Sequence, residues 1–179
     1  MSLSEFVKNK RLIVVGPAPY LQGKNFGEVI DSFDLIIRPN QFHVPKNLLN
    51  DYGSRTDIMS HNFGTEWMKG LKEDIENNKD QYDNLKMLMC PVLYGTRGTE
   101  EDYMSWPEDR VGDVVRNAVS VNTNKIPFHW IGPKRYQKLF RDVGCQPYSG
   151  VSTICMLLDC DIASLHLTGF DFYETSNVY

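Results

Sequence analysis

Short apolar runs rich in β-branched residues alternate with polar, turn-bounded stretches along this chain. Arg11-Leu-Ile-Val-Val15 is followed by Gly16-Pro, and Asp34-Leu-Ile-Ile37 by Arg-Pro-Asn40. Runs of four to six residues bounded by Gly, Pro or Asn predict strands buried on both faces of a parallel sheet. Thr56–Ser60, Leu85–Cys90 and Ser164–Leu167 repeat the pattern. Between them lie helical stretches. A turn is expected at Phe26–Ile30 and a short helix at Val44–Tyr52. Thr65–Asn78 carries Trp67, Leu71 and Ile75 four apart, one stripe of a helix. Arg110–Ala118, Lys134–Val143 and the apolar Ser149–Leu158 complete the helices, and Pro91–Pro107 is expected as a surface loop or lid. Alternating strands and helices predict an α/β, Rossmann-like, mostly parallel sheet with helices on both faces.

At 179 residues the chain suffices for one domain with a full core. Met1-Ser-Leu reads as a leader. A net charge of −4 with scattered Lys and Arg gives no field favouring nucleic acid. The cluster from Lys134-Arg135 to Arg141 reads as a solvated helix face. No apolar run approaches the ~20 residues a transmembrane helix needs. Cys90, Cys145, Cys155 and Cys160 form no CxxC pair and no zinc spacing, so they are expected as buried thiols.

In open α/β sheets, ligands bind beyond the carboxyl ends of the strands. The polar residues of this chain gather there. Gly16 would let a ligand approach the backbone, or merely make a tight turn. Pro17 and Pro19 lack N–H groups, which makes this loop a poor phosphate nest. Asn40, after the second strand, can donate and accept, suiting a nucleotide or a turn cap equally. Arg38 would support either role, and Asn62 follows the third strand in the same way. Ser149-Gly150 opens the apolar helix, Ser149 as a natural N-cap and Gly150 leaving room for a phosphate at the dipole's positive end. Gly169-Phe-Asp-Phe-Tyr173 leaves the last strand, with Tyr179 close behind. Its tyrosines would donate to a phosphate, or the aromatic residues simply pack. Asp159-Cys-Asp161 has the DxD form of metal-dependent glycosyltransferases but ends a helix, so it reads as solvated surface.

Leu12-Ile-Val-Val-Gly16, Ile30-Asp-Ser-Phe-Asp-Leu-Ile-Ile-Arg-Pro-Asn40 and Tyr52-Gly-Ser-Arg-Thr-Asp57 together resemble the large sialylmotif of family 29 sialyltransferases. Tyr148-Ser-Gly-Val151 and Leu167-Thr-Gly-Phe170 resemble their small sialylmotif. Arg38-Pro-Asn-Gln-Phe42, Ser149-Gly-Val151 and Gly169–Tyr173 are similar to the bacterial family 42 enzymes. The matches cover the first third and last fifth of the chain, and residues 64–146 stay unplaced. The resemblance implies a GT-A-variant-like glycosyltransferase that moves a sugar from a CMP-sugar donor to a glycan acceptor with inversion. It implies neither metal nor other cofactor. It also implies that Asn40, Asn62, Ser149 and Gly150 hold the donor, with Gly16 and Asp171 alongside. Tyr173 and Tyr179 would stabilise the departing phosphate.

Departures are visible as well. The large motif carries Asn after its first Gly, where this chain has Pro17. Leu12 and Ile162 occupy the positions of a disulfide pair of the animal enzymes, which fits a reducing, cytoplasmic setting. The general-base His of the family lies beyond the small motif, whereas His43, His61, His129 and His166 all precede it. His43 and His61 fall near the pocket, and His166 is expected in the core. Domains seldom end as close to such a loop as Tyr179 does, so a further C-terminal segment is expected. Two rivals remain. One is a nucleotide-binding relative without a base. The other is an NAD or S-adenosylmethionine enzyme, which would want glycines where Pro17 and Pro19 stand and an acid where Arg38 and Asn40 stand.

Overall fold

The computed structural model describes residues 1–92 and 108–171. Six parallel strands form one sheet in the order β5-β4-β3-β2-β1-β6. They are β1 (Arg11–Val15), β2 (Leu35–Pro39), β3 (Ile58–Ser60), β4 (Met87–Cys90), β5 (Phe128–Trp130) and β6 (Ser164–Thr168). The helices are α1 (Leu3–Val7), α2 (Gly27–Asp31), α3 (Leu49–Tyr52), α4 (Met68–Asn77), α5 (Lys79–Asp83), α6 (Glu108–Val121), α7 (Pro133–Val143) and α8 (Ser149–Leu158). No helix among the described residues is long and apolar enough to cross a membrane.

Strand alternation divides the core. Leu12, Val14, Ile37, Ile58, Met87 and Met89 face one layer with Leu3 of α1, Tyr136 and Phe140 of α7, and Met156 and Leu157 of α8. Ile13, Val15 and Ile36 face the other with Leu21, Ile30 and Tyr52. Met59, Leu88 and Cys90 meet Leu71, Tyr82, Val114 and Val121 on that second side. Helices therefore cover both faces, as the continuous apolar strands required. The chain steps from β1 to β5 in one direction, then returns through α7 and α8 to place β6 on β1's other side. The strand order thus reverses between β1 and β6, where such sheets open their ligand crevice.

Several expectations change. Met1-Ser-Leu, read as a leader, joins the fold: Ser2 caps α1 through a capping box with Glu5, and Leu3 lies in the core. β5 and α1 go unread in the sequence because three to five residues carry too little periodicity. The helix expected over Thr65–Asn78 opens as a 3₁₀ turn (Thr65–Trp67), so Met68 takes the buried place and Trp67 is 57% exposed. His166, expected in the core, is exposed and stands edge-on to Phe33. β6 is the edge of the sheet among the described residues, and no described strand flanks its outer side. Of the thiols only Cys90 is fully buried; Cys155 and Cys160 are half-buried and Cys145 is exposed. Burial raises the Cys90 thiol to about 12, so it is inert.

Candidate functional site

Gly16 and Gly169 meet at the reversal point. The Gly16 N–H donates to Thr168 O and the Ala18 N–H to Gly169 O, both at 2.9 Å. A Cβ on Gly16 would collide with the Gly169 carbonyl, and one on Gly169, at φ +73°, with Gly16. Backbone packing against Gly169 therefore requires glycine at position 16 whether or not a ligand approaches. Gly150 is explained similarly. The Phe170 ring sits 3.3 Å from where its Cβ would be, and 3.1 Å from that of Gly16. Phe170 bridges the β1 loop and the first turn of α8.

α8 begins one residue differently from the sequence reading. Tyr148 is the N-cap, with extended backbone and no side-chain cap bond, and Ser149 is the first helical residue. The Tyr148 side chain makes no cap bond to the first N–H groups of α8, where the positive end of the helix dipole favours an anion. Ser152, in the same turn, is wholly buried and its Oγ lacks a partner.

Asn40 and α8 are brought together through β3. The Asn40 N–H donates to Ser60 O at 2.6 Å. Ser60 Oγ lies 2.6 Å from Thr153 Oγ1, both residues fully buried. Thr153 Oγ1 donates to Ser149 O at 2.6 Å, so its single proton is spent and Ser60 must donate to it. Asn40 itself is exposed at φ +64°, a conformation Asn tolerates better than most residues. Its amide makes no cap bond among the described residues. Asn62 does act as a turn cap: its Oδ1 accepts from Gly64 N at 3.0 Å. Gln41, beside Asn40, holds a buried Oε1 without a partner. Nothing in the sequence pattern had singled it out.

Arg38 belongs to the scaffold and not to the cleft. It is 1% exposed and donates to Thr56 Oγ1 at 3.0 Å and Tyr52 O at 2.6 Å, tying β2 to the turn before β3. Asp171 is half-buried directly after Phe170. Tyr173 and Tyr179 lie outside the described residues, as does nearly all of Pro91–Pro107. Asp159 of the DxD-like stretch caps the far end of α8 and pairs with Arg135. No group of three metal-ligating side chains occurs among the described residues.

The histidines differ sharply. His61 is 6% exposed, its Nδ1 accepts from Phe63 N at 2.9 Å, and burial pushes its pKa down to about 4. It is a neutral Nε2–H tautomer with its basic nitrogen occupied, and so a poor proton acceptor. His43 leaves Nδ1 buried and unpartnered against Phe42. Burial also lowers His129, which lies in β5 far from the reversal point.

A cavity of about 250 Å³ opens among Ser54, Arg55, Asp57, Gln81, Asn84 and Lys86. It lies at the amino ends of β3 and β4, opposite the cleft. Its cations are bound to buried Asp57, which also receives the Ile36 N–H. It explains scaffold stability and not the site.

The sequence profile of glycosyltransferase family 29 (sialyltransferase) matches residues 5–95 of the 179. No curated protein sequence matches the chain significantly. Among solved structures, a mammalian sialyltransferase superposes with TM-score 0.57 at 18% identity, over 99% of this chain and 63% of that one. The sialyltransferase CstII from Campylobacter jejuni, in complex with cytidine-5'-monophosphate, gives TM-score 0.59 at 16% identity, over 96% and 66%. A mammalian sialyltransferase in complex with Gal-beta-1-3GalNAc-ortho-nitrophenol gives 0.52 at 17%, over 94% and 58%. This chain thus spans less than two thirds of each, and at such identities the likeness speaks for the fold. The profile spans just over half the sequence, including β1 to β4 and the Asn40 and Asn62 turns, and the chain belongs to glycosyltransferase family 29, the sialyltransferases.

Proposed function

We propose that the chain is the donor-binding part of a sialyltransferase, which transfers sialic acid or a related sugar from a CMP-sugar to a glycan hydroxyl with inversion. One observation carries the reading: the buried Ser60–Thr153 contact fixes exposed Asn40 and the start of α8 on one rim. Asn40 and Asn62 amides suit the nucleoside, and the α8 N–H groups at Ser149 and Gly150 suit a single phosphate. That CstII was solved with cytidine-5'-monophosphate supports the same donor.

In the reaction the acceptor oxygen attacks the anomeric carbon while the bond to the CMP phosphate breaks. Negative charge grows on the phosphate, and donors already aimed there stabilise it. The dipole of α8 would serve, joined by the hydroxyls of Tyr173 and Tyr179. One phosphate met by such donors needs no divalent ion. The acceptor proton requires a base, which His61 cannot supply. That observation favours a second reading, a nucleotide-binding piece that becomes catalytic only with further polypeptide. A reducing, cytoplasmic setting fits four free thiols.

The test is a CMP titration followed by heteronuclear NMR. Wild type binds saturably and EDTA changes nothing. Asn40→Gly, which keeps the left-handed backbone, binds roughly tenfold more weakly, as the loss of a hydrogen bond to a ligand predicts. Absence of binding by wild type at millimolar CMP would overturn the assignment.

A further inference from the structure

We infer that Tyr20 is a positioning residue that clasps the β1 loop to the exit of β6 and so sets the width of the donor cleft. The inference rests on the reading just given. Pro17 and Pro19 have no N–H, and the Gly16 and Ala18 N–H groups are already spent on Thr168 O and Gly169 O. The loop's remaining hold on β6 is a side chain. Tyr20 Oη accepts the Gly169 N–H at 2.6 Å and lies 3.5 Å from Thr168 Oγ1. From the other side, Tyr52 Oη donates to Ala18 O at 2.7 Å, anchoring the same loop to α3. The clasp therefore runs from α3 through the β1 loop to Gly169.

What Gly169 controls is the next residue. Phe170 fills the gap between Gly16 and Gly150 and so carries the exit of β6 onto the first turn of α8. Gly169 sits at φ +73°, where its own preferences allow many alternatives, so an external bond must select one. Tyr20 is 46% exposed, too open to be held there for apolar burial. Its hydroxyl supplies the selection. Since the phenol oxygen acts as acceptor toward Gly169, its proton is left for Thr168 or for an anion entering the cleft.

Tyr20→Phe removes the hydroxyl and keeps the ring. Water can satisfy the Gly169 N–H afterwards, so melting should move by no more than a few degrees. Exchange of the Gly169 amide proton should accelerate roughly tenfold, because its closed state has lost a partner. CMP affinity should fall roughly fivefold to tenfold, through Phe170 and α8. A side chain that is merely structural would shift melting and affinity together, and one with no positioning role would shift neither exchange nor affinity. Unchanged Gly169 exchange overturns the clasp. Faster exchange with unchanged CMP affinity overturns its control of the cleft. Failure of wild type to bind CMP overturns the donor reading and with it the control of a cleft for that ligand, while Gly169 exchange still decides the clasp.

Discussion

Acidification should destabilise this protein through His61 well before its carboxylates titrate. An unfolded histidine titrates near 6.5, whereas burial holds His61 at about 4. Above pH 6.5 both states carry neutral imidazole and the residue costs nothing. Below it the unfolded chain takes up a proton that the folded chain refuses, so stability is lost from pH 6.5 downward until the folded group titrates near 4. The full gap corresponds to about 3 kcal/mol at 1.36 kcal/mol per pH unit, and the part lost between pH 7.5 and 5.0 is about 2 kcal/mol. Asp34, Asp51 and Asp83, held low by hydrogen bonds from Arg11 N, Gly23 N and Lys79 respectively, lose their contributions further down, below the ordinary carboxylate range. The control is His61→Asn, whose amide oxygen can still accept the Phe63 N–H but never charges. Urea unfolding at pH 7.5 and 5.0 should show wild type losing about 2 kcal/mol more than the variant. Equal losses, or a His61 NMR titration centred near 6.5, would refute the argument. That second result would also return His61 to the list of possible bases.

Three further substitutions probe the frame around the cleft. Gly16→Ala drives a methyl into the Gly169 carbonyl and should cost about 1–3 kcal/mol, read as a drop in Tm. Ser60→Ala deletes the buried donor to Thr153 and should cost about 1 kcal/mol in denaturant unfolding, because Thr153 keeps its bond to Ser149 O. Arg38→Met removes the buried guanidinium bonds to Tyr52 O, Arg55 O and Thr56 Oγ1, although Thr56 keeps its own bond to Phe42 O, and should cost on the order of 3 kcal/mol. If Arg38→Met instead abolished CMP binding in a fully folded protein, Arg38 would belong to the cleft.

The sequence by itself determined the parallel sheet. Residues such as Leu12-Ile-Val-Val15 and Leu35-Ile-Ile37 are apolar on both faces, and only a strand covered on both sides can hold them. It also placed Asn40, Asn62 and Ser149 at element ends, because Gly, Pro and Asn stop strands through local backbone preferences. Short-range signals ran out at Phe128–Trp130 and at α1, where too few residues repeat, and at His166, whose exposure depends on β6 being an edge. Tertiary structure alone decided what each polar group faces. It sent Arg38 inward to the turn before β3, gave Gly16 to Gly169 and made Tyr148, not Ser149, the N-cap of α8. It also joined Asn40 to a helix more than a hundred residues away through Ser60 and Thr153. Those contacts link residues far apart in sequence, and local propensity carries no information about which distant partner folding will bring.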